Sequence, residues 1–166
     1  MKVRIVEATL DMCRDLAEVK RRVWESTYRG IYPDSKFDSF DIEKEAEKFA
    51  RLIEADDIDL YVAVVDDVTI GFMAEGKNPR YPDSESCEIV LLSIVKECQG
   101  LGIGREMFDF AKGKLKMKNA DHFIVYCNKY NLKAQGFYKK MGCEVLSIDD
   151  DHPDKSIPQV KFVYRF

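Results

Sequence analysis

Hydrophobic and polar positions change period several times along the 166-residue chain, and each change marks an element. Val3 to Glu7 is short and β-branched, which predicts a first strand. From Asp11 the pattern becomes helical. Leu16, Val19, Val23 and Thr27 recur on one face and Glu18 precedes Arg22 by four, giving a helix from about Asp11 to near Tyr28 that stops before Gly30. Gly30-Ile-Tyr-Pro-Asp34 is a breaker segment. A second helix carries Ile42, Ala46, Phe49 and Ile53 on one side and closes at Asp56-Asp57. Two strands, Tyr61 to Val65 and Thr69 to Ala74, flank Asp66-Asp67-Val68 and read as a hairpin. Lys77 to Ser86, with Pro79 and Pro82, is a loop.

The stretch from Glu88 to Gly104 organises the second half of the chain. It begins as an apolar, β-branched strand headed by one acid and ends in glycines at alternate positions, where a helical pattern starts. That helix buries Ile103, Met107, Phe110, Ala111 and Leu115, with Lys112, Lys114, Lys116 and Lys118 outward. His122 to Cys127 is a further strand. Asn131 is a good N-cap for a short helix with Ala134, Phe137, Tyr138 and Met141 on one side, and Gly142 ends it. Cys143 to Ile148 and Gln159 to Phe166 alternate as strands around the acidic turn Asp149 to Asp154. The order β-α-α-β-β-β-α-β-α-β-β predicts one α+β domain over residues 1–166, with a local parallel crossover in its second half.

Composition narrows the function classes. The chain is 46% hydrophobic and 34% charged, with a formal net charge of −4 and no dense basic run, which points away from nucleic acid. No apolar run reaches membrane-spanning length and the N-terminus lacks a signal-peptide core, so no membrane partner is expected. Five scattered cysteines read as reduced thiols of a cytoplasmic protein. Cys127 is conceivable as a thioester nucleophile, but a small buried hydrophobe is the simpler reading. His122 and His152 are too few and too far apart to propose a metal.

A buried strand feeding a glycine-rich turn at a helix N-terminus is a phosphate-binding device: the first helical N–H groups lack partners, and the helix dipole adds positive charge there. The nucleoside-triphosphate loop would require a Lys-Ser/Thr pair after its second glycine, and the dinucleotide fingerprint a glycine at Arg105; neither fits. An ordinary strand-to-helix connection remains the bland alternative for the hexad taken alone. Gln99-Gly-Leu-Gly-Ile-Gly104 resembles the Gln/Arg-x-x-Gly-x-Gly/Ala signature of the GNAT superfamily of acyl-CoA N-acyltransferases. Asn131-Leu-Lys-Ala-Gln-Gly-Phe-Tyr-Lys-Lys-Met-Gly142 resembles that family's second segment, with Cys143 where an aromatic is usual. Trp24 to Pro33 is similar to the branch that includes polyamine and other small-amine acetyltransferases.

The resemblance implies a mixed, mostly antiparallel sheet of about seven strands with about four helices, splayed after the fourth strand. It implies acetyl-CoA as co-substrate and a primary amine as acceptor, and it is compatible with a homodimer. Gln99, Gly100, Leu101, Gly102, Ile103, Gly104 and Arg105 would wrap the coenzyme pyrophosphate. A bulge or splay near the end of the fourth strand would free the backbone of Ile94 and Val95 for the pantetheine arm and thioester carbonyl. Asn131 would cap its helix and bond the coenzyme arm. Glu88, eleven residues before Gln99, matches a catalytic glutamate, with Glu75 and Glu85 as competitors. Tyr138 matches the tyrosine that protonates the leaving thiolate. For the acceptor, Trp24, Tyr28, Tyr32 and Phe37 with Asp34, Asp38 and Asp41 read as an aromatic and acidic pocket suited to a cation, with Asn128 a lesser candidate and Ser93 a further one. The rival from another class is an acyl-CoA-binding regulatory module without turnover, and a protein or peptide amine is the rival acceptor.

Overall fold

Each helix carries an apolar stripe that needs a sheet to cover it, and seven strands supply that sheet. The computed structural model describes residues 2–77 and 86–166. Its strands are β1 (Arg4–Glu7), β2 (Ile58–Val65), β3 (Val68–Gly76), β4 (Cys87–Ile94), β5 (His122–Asn128), β6 (Glu144–Ile148) and β7 (Gln159–Arg165). Its helices are α1 (Cys13–Tyr28), α2 (Ser35–Asp38), α3 (Ile42–Ile53), α4 (Ile103–Met117) and α5 (Leu132–Lys140). The sheet runs β1-β2-β3-β4-β5-β7-β6, and only the β4–β5 pair is parallel. The α+β architecture is thus the one the pattern predicts. The added helix is the single turn α2, too short for periodicity to reveal.

Helices α1 and α3 cover one face of the sheet, and α4 and α5 the other. Phe49 of α3 meets Phe72 of β3 at 5.1 Å between ring centroids. On the opposite face Phe110 of α4 meets Tyr61 of β2 at 4.9 Å, and Tyr138 of α5 meets Phe162 of β7 at 5.7 Å. Phe72, Phe108, Phe123 and Phe162 are fully buried, and each such ring contributes about 1.5–3 kcal/mol of transfer free energy. Here α4 departs from expectation. Phe108, not Phe110, is its fully buried aromatic, while Phe110 is half-buried at the rim.

Local chemistry sets the ends of the elements. Asp66 and Asp67 both adopt positive φ (48° and 61°), the conformation a two-residue hairpin turn demands. Asp41 caps α3 by accepting the Lys44 N–H at 3.1 Å, and Asn131 caps α5 by accepting the Ala134 N–H at 3.0 Å. Among the described residues no helix is long and apolar enough to cross a membrane.

The two seams of β4 differ. Towards β3 it pairs from Ile94 opposite Gly71 to Glu88 opposite Gly76. Leu91 faces Ala74 and Ile89 faces Glu75, so Val90 is an extra residue, a bulge in β4. Towards β5 only Cys87–Ile89 pair, with Phe123–Val125. Beyond Ile89 the two strands part. The bulge and the splay therefore begin in the middle of β4, upstream of the strand end where the resemblance puts them.

Candidate active site

Parting two strands of a sheet leaves backbone groups without ladder partners and opens a passage between its faces. A cavity of about 1120 Å³ occupies this passage. Its walls include Leu92, Ser93 and Ile94 of β4, Tyr126 and Cys127 of β5, Phe137 and Tyr138 of α5, Trp24 and Tyr28 of α1, and the glycine turn.

The glycine turn forms one end. Gly100 and Gly102 hold φ of +80° and +88°, a region that side chains disfavour. The Glu106 N–H makes the first helical bond, to the Gly102 carbonyl, so the N–H groups of Ile103, Gly104 and Arg105 lie ahead of the α4 ladder. Gly104 serves packing as well: a Cβ there would stand 3.3 Å from the Phe137 ring, which ties α4 closely to α5. Gln99 lines the cavity and also braces its wall. Its amide donates to the Ile94 carbonyl at 2.8 Å and its oxygen accepts from Lys133 of α5 at 2.5 Å, bracing the end of β4 against α5. Leu101 projects outward and the Ile103 side chain enters the core, so both could offer only backbone to the cavity.

The fourth strand presents alternating backbone. The Val95 N–H donates to the Ile70 carbonyl at 2.9 Å, so it is already engaged with β3, and Val95 does not line the cavity. Alternation then aims the amides of Ser93 and Leu91 towards β3, and those of Ile94 and Leu92 towards the gap. Of the two strand-end residues the resemblance names, the Ile94 amide thus faces the gap and the Val95 amide faces β3; Leu92, which the sequence reading does not name, also faces the gap. Counting two residues back from Ile94 was the signal that could have found it.

Glu88 is 2% exposed and lines the cavity from the α1/α3 side, opposite Gly76. Glu75, its rival, points the other way. Lys118, just past α4, donates to both its carboxylate oxygens at 2.9 Å and also to Asp59 at 2.7 Å. Burial pushes the Glu75 carboxyl upward and Lys118 pulls it back in part. Glu85 lies outside the described residues, as does most of the loop after Lys77.

Tyr138 is 6% exposed and enters the passage from the α4/α5 side. Burial pushes its phenol well above the ordinary value, so it remains protonated at neutral pH. Burial also pushes the Cys127 thiol up to about 12, which keeps it a thiol rather than a nucleophilic thiolate.

On the acceptor side the prediction holds only in part. Trp24 and Tyr28 line the cavity, and Tyr32 stacks on Tyr28 with centroids 4.2 Å apart without lining it. Tyr28 also accepts from the Asn131 side-chain amide at 3.3 Å, so the α5 cap is tied to the end of α1. Phe37 packs beneath Trp24. The acids expected there are elsewhere. Asp34 pairs with Arg29, Asp38 is exposed and Asp41 is a helix cap; none lines the cavity. The carboxylates that do are Glu88 and Glu45. Burial alone would raise Glu45, but hydrogen bonds from Lys20 and Lys48 outweigh it and lower that carboxyl. Asn128 is fully committed, donating to the Lys155 carbonyl at 2.8 Å and accepting the Tyr130 N–H at 2.9 Å, and it too stays outside the cavity wall.

Known structures share this arrangement. The PaiA N-acetyltransferase of Thermoplasma acidophilum, solved in complex with coenzyme A, superposes with a TM-score of 0.83 at 24% identity over 100% of both chains. The ribosomal-protein-alanine N-acetyltransferase of Brucella melitensis gives 0.76 at 15% identity, covering 98% of this chain and 99% of its own. An acetyltransferase of Thermus thermophilus gives 0.72 at 16% identity, covering 100% and 98%. At these identities the likeness is one of fold. No curated protein matches the chain in sequence. The model of the acetyltransferase (GNAT) family matches residues 17–143, and the protein is a member of that family of N-acetyltransferases.

Proposed function

We propose that the protein transfers the acetyl group of acetyl-CoA to the primary amine of a small molecule, with polyamines favoured, by direct attack in a ternary complex. The observation that carries this is the parted seam. It joins a buried carboxylate on one face of the sheet, Glu88, to a buried phenol on the other, Tyr138, with a helix N-terminus at its end.

The chemistry divides among these groups. The N–H groups of Ile103, Gly104 and Arg105 meet the pyrophosphate, with Lys96, Arg105 and Lys133 adding positive charge around the turn. The amides of Leu92 and Ile94 bond the pantetheine arm and the thioester carbonyl, where charge develops as the carbon becomes tetrahedral. Glu88 takes the ammonium proton and frees the nitrogen lone pair. The C–N bond forms, the C–S bond breaks, Tyr138 supplies a proton to the departing thiolate, and the second proton shed by the nitrogen restores the Tyr138 phenol. Trp24 and Tyr28 provide aromatic faces for a cationic chain. Because Asp34, Asp38 and Asp41 lie off the cavity and Glu45 is already paired with Lys20 and Lys48, the charge that favours a cation comes from Glu88, and the polyamine preference rests on these two rings and that acid.

The test is thiol release from acetyl-CoA over a panel of polyamines, amino acids, aminoglycosides and short peptides. Turnover with a small amine is expected, falling by about 10²–10³-fold in Glu88→Gln. Silence across the panel with coenzyme A still raising the melting temperature would make the protein a binding module instead. Turnover confined to peptides would move the acceptor to a protein amine.

A further inference from the structure

Just beyond the cavity, on the same face as Glu88, three side chains form a hydrogen-bonded line. Ser86 Oγ lies 3.1 Å from His122 Nε2, and His122 Nδ1 lies 2.5 Å from Asp121 Oδ1. Asp121 fixes the tautomer: its carboxylate accepts from Nδ1–H, which leaves Nε2 to accept from the Ser86 hydroxyl. The hydrogen bond to His122 lowers the Asp121 carboxyl, so it stays anionic.

The register places this line against Glu88. Cys87 pairs with Phe123 and Glu88 with Ile124, so Ser86 and His122 are the next aligned positions, one step towards the sheet end. Ser86 stands just before β4, two residues from Glu88, and its hydroxyl meets His122, which shares with Ile124 the face that Glu88 presents. Exposure rises steadily along the line. Glu88 is 2% exposed, the His122 side chain 40% and the Asp121 side chain 91%. Among the described residues, Arg165 is the β7 register partner of His122, and it is engaged with Glu144 at 3.3 Å.

We propose that Ser86, His122 and Asp121 form a proton exit that returns Glu88 to its ionised state after each turnover. The inference rests on Glu88 being the base. A buried carboxylate that has taken the amine proton must lose it before the next cycle. The proton passes from Glu88 through water to the Ser86 oxygen as the Ser86 hydroxyl proton moves to His122 Nε2. The imidazolium, held by Asp121, then releases a proton to solvent. One proton is carried from amine to water and no electrons move.

The experiment measures steady-state thiol release with the panel amine that turns over fastest, spermidine being tried first. His122→Ala and His122→Gln should each lower kcat about tenfold with both KM values unchanged. Glutamine keeps an acceptor for Ser86 but takes up no proton, so a loss shared by both variants separates proton transfer from hydrogen-bonded structure. Added imidazole should restore His122→Ala and leave Glu88→Gln silent. If kcat is unchanged in both His122 variants while Glu88→Gln is inactive, the exit is overturned and the base stands. If Glu88→Gln keeps full activity, or if no amine turns over, the base and the exit fall together.

Discussion

The two seams of β4 are made by the same eight residues, yet one is closed and the other is open. Towards β3, Ile94 to Glu88 are paired and backbone comes so close that a Cβ on Gly71 would stand 2.6 Å from the Ser93 carbonyl oxygen. Towards β5, three residues pair and the rest diverge around a cavity. The closed seam spends its hydrogen bonds on stability. The open one leaves the Leu92 and Ile94 backbone aimed at a space where a substrate can use it. Their glycines differ in the same way. Gly71 and Gly76 are required because neighbours are near, whereas Gly100 and Gly102 have open space around them and are required for their backbone angles.

That contrast is most easily sharpened at Gly76, the β3 residue that stands opposite Glu88. A Cβ there would lie 2.1 Å from the carbonyl oxygen of Asp57, just before β2, at a φ of +136°. Gly76→Ala should cost about 4 kcal/mol, the sum of overpacking and backbone strain. In a chain of this size that lowers the unfolding midpoint by about 10 °C in calorimetry. Folded protein at low temperature should retain its turnover per active site; a selective loss of activity without a loss of stability would show that this seam also serves catalysis.

In the open seam the expected loss falls on rate. Tyr138→Phe removes one proton donor and no packing volume, so kcat should drop about 100-fold while the melting temperature stays within about 3 °C. An unchanged kcat would remove Tyr138 as the acid. Gly102→Ala is expected to act more mildly, since its φ of +88° strains an L-residue by about 1–2 kcal/mol but nothing blocks the methyl. The KM for acetyl-CoA should rise roughly tenfold with kcat nearly constant, a split that direct coenzyme titration checks.

The smallest effect concerns pH. The folded state holds the Glu45 carboxyl below its ordinary value of 4.5: burial acts to raise it, and Lys20 and Lys48 prevail. A depressed carboxyl gives stability that is present above the unfolded value and fades as pH falls through the folded one. Thermal stability should therefore decline below about pH 4.5, and Glu45→Gln should flatten that decline. Melting curves between about pH 3 and 6 compare the two.

Much of this plan was legible in the sequence because it is local. The hairpin at Asp66-Asp67, the cap at Asn131 and the glycine turn are each decided by neighbouring residues. What escaped is set by distant partners. The bulge at Val90 depends on register with β3, and it decides which face each residue of β4 presents. Glu75 and Glu88 look equivalent in sequence, yet one meets Lys118 behind the sheet and the other faces the cavity. Asn128 reads as a site amide until the loop carrying Lys155 folds over it. The bond that Gln99 receives from Lys133, on another helix, is likewise invisible in the local sequence. Phe108 and Phe110 lie on either side of the same helical stripe, and only the sheet beneath α4 chooses between them.

The three-pair contact between β4 and β5 has a consequence for how much of the protein a cell keeps. An opened seam that a ligand fills gives the occupied form a stability the empty form lacks. At a ligand concentration about 100 times the dissociation constant, that difference amounts to about 2.7 kcal/mol. Proteolysis samples the unfolded fraction, so a seam filled by coenzyme should lengthen the protein's lifetime, which digestion at graded concentrations of coenzyme A checks.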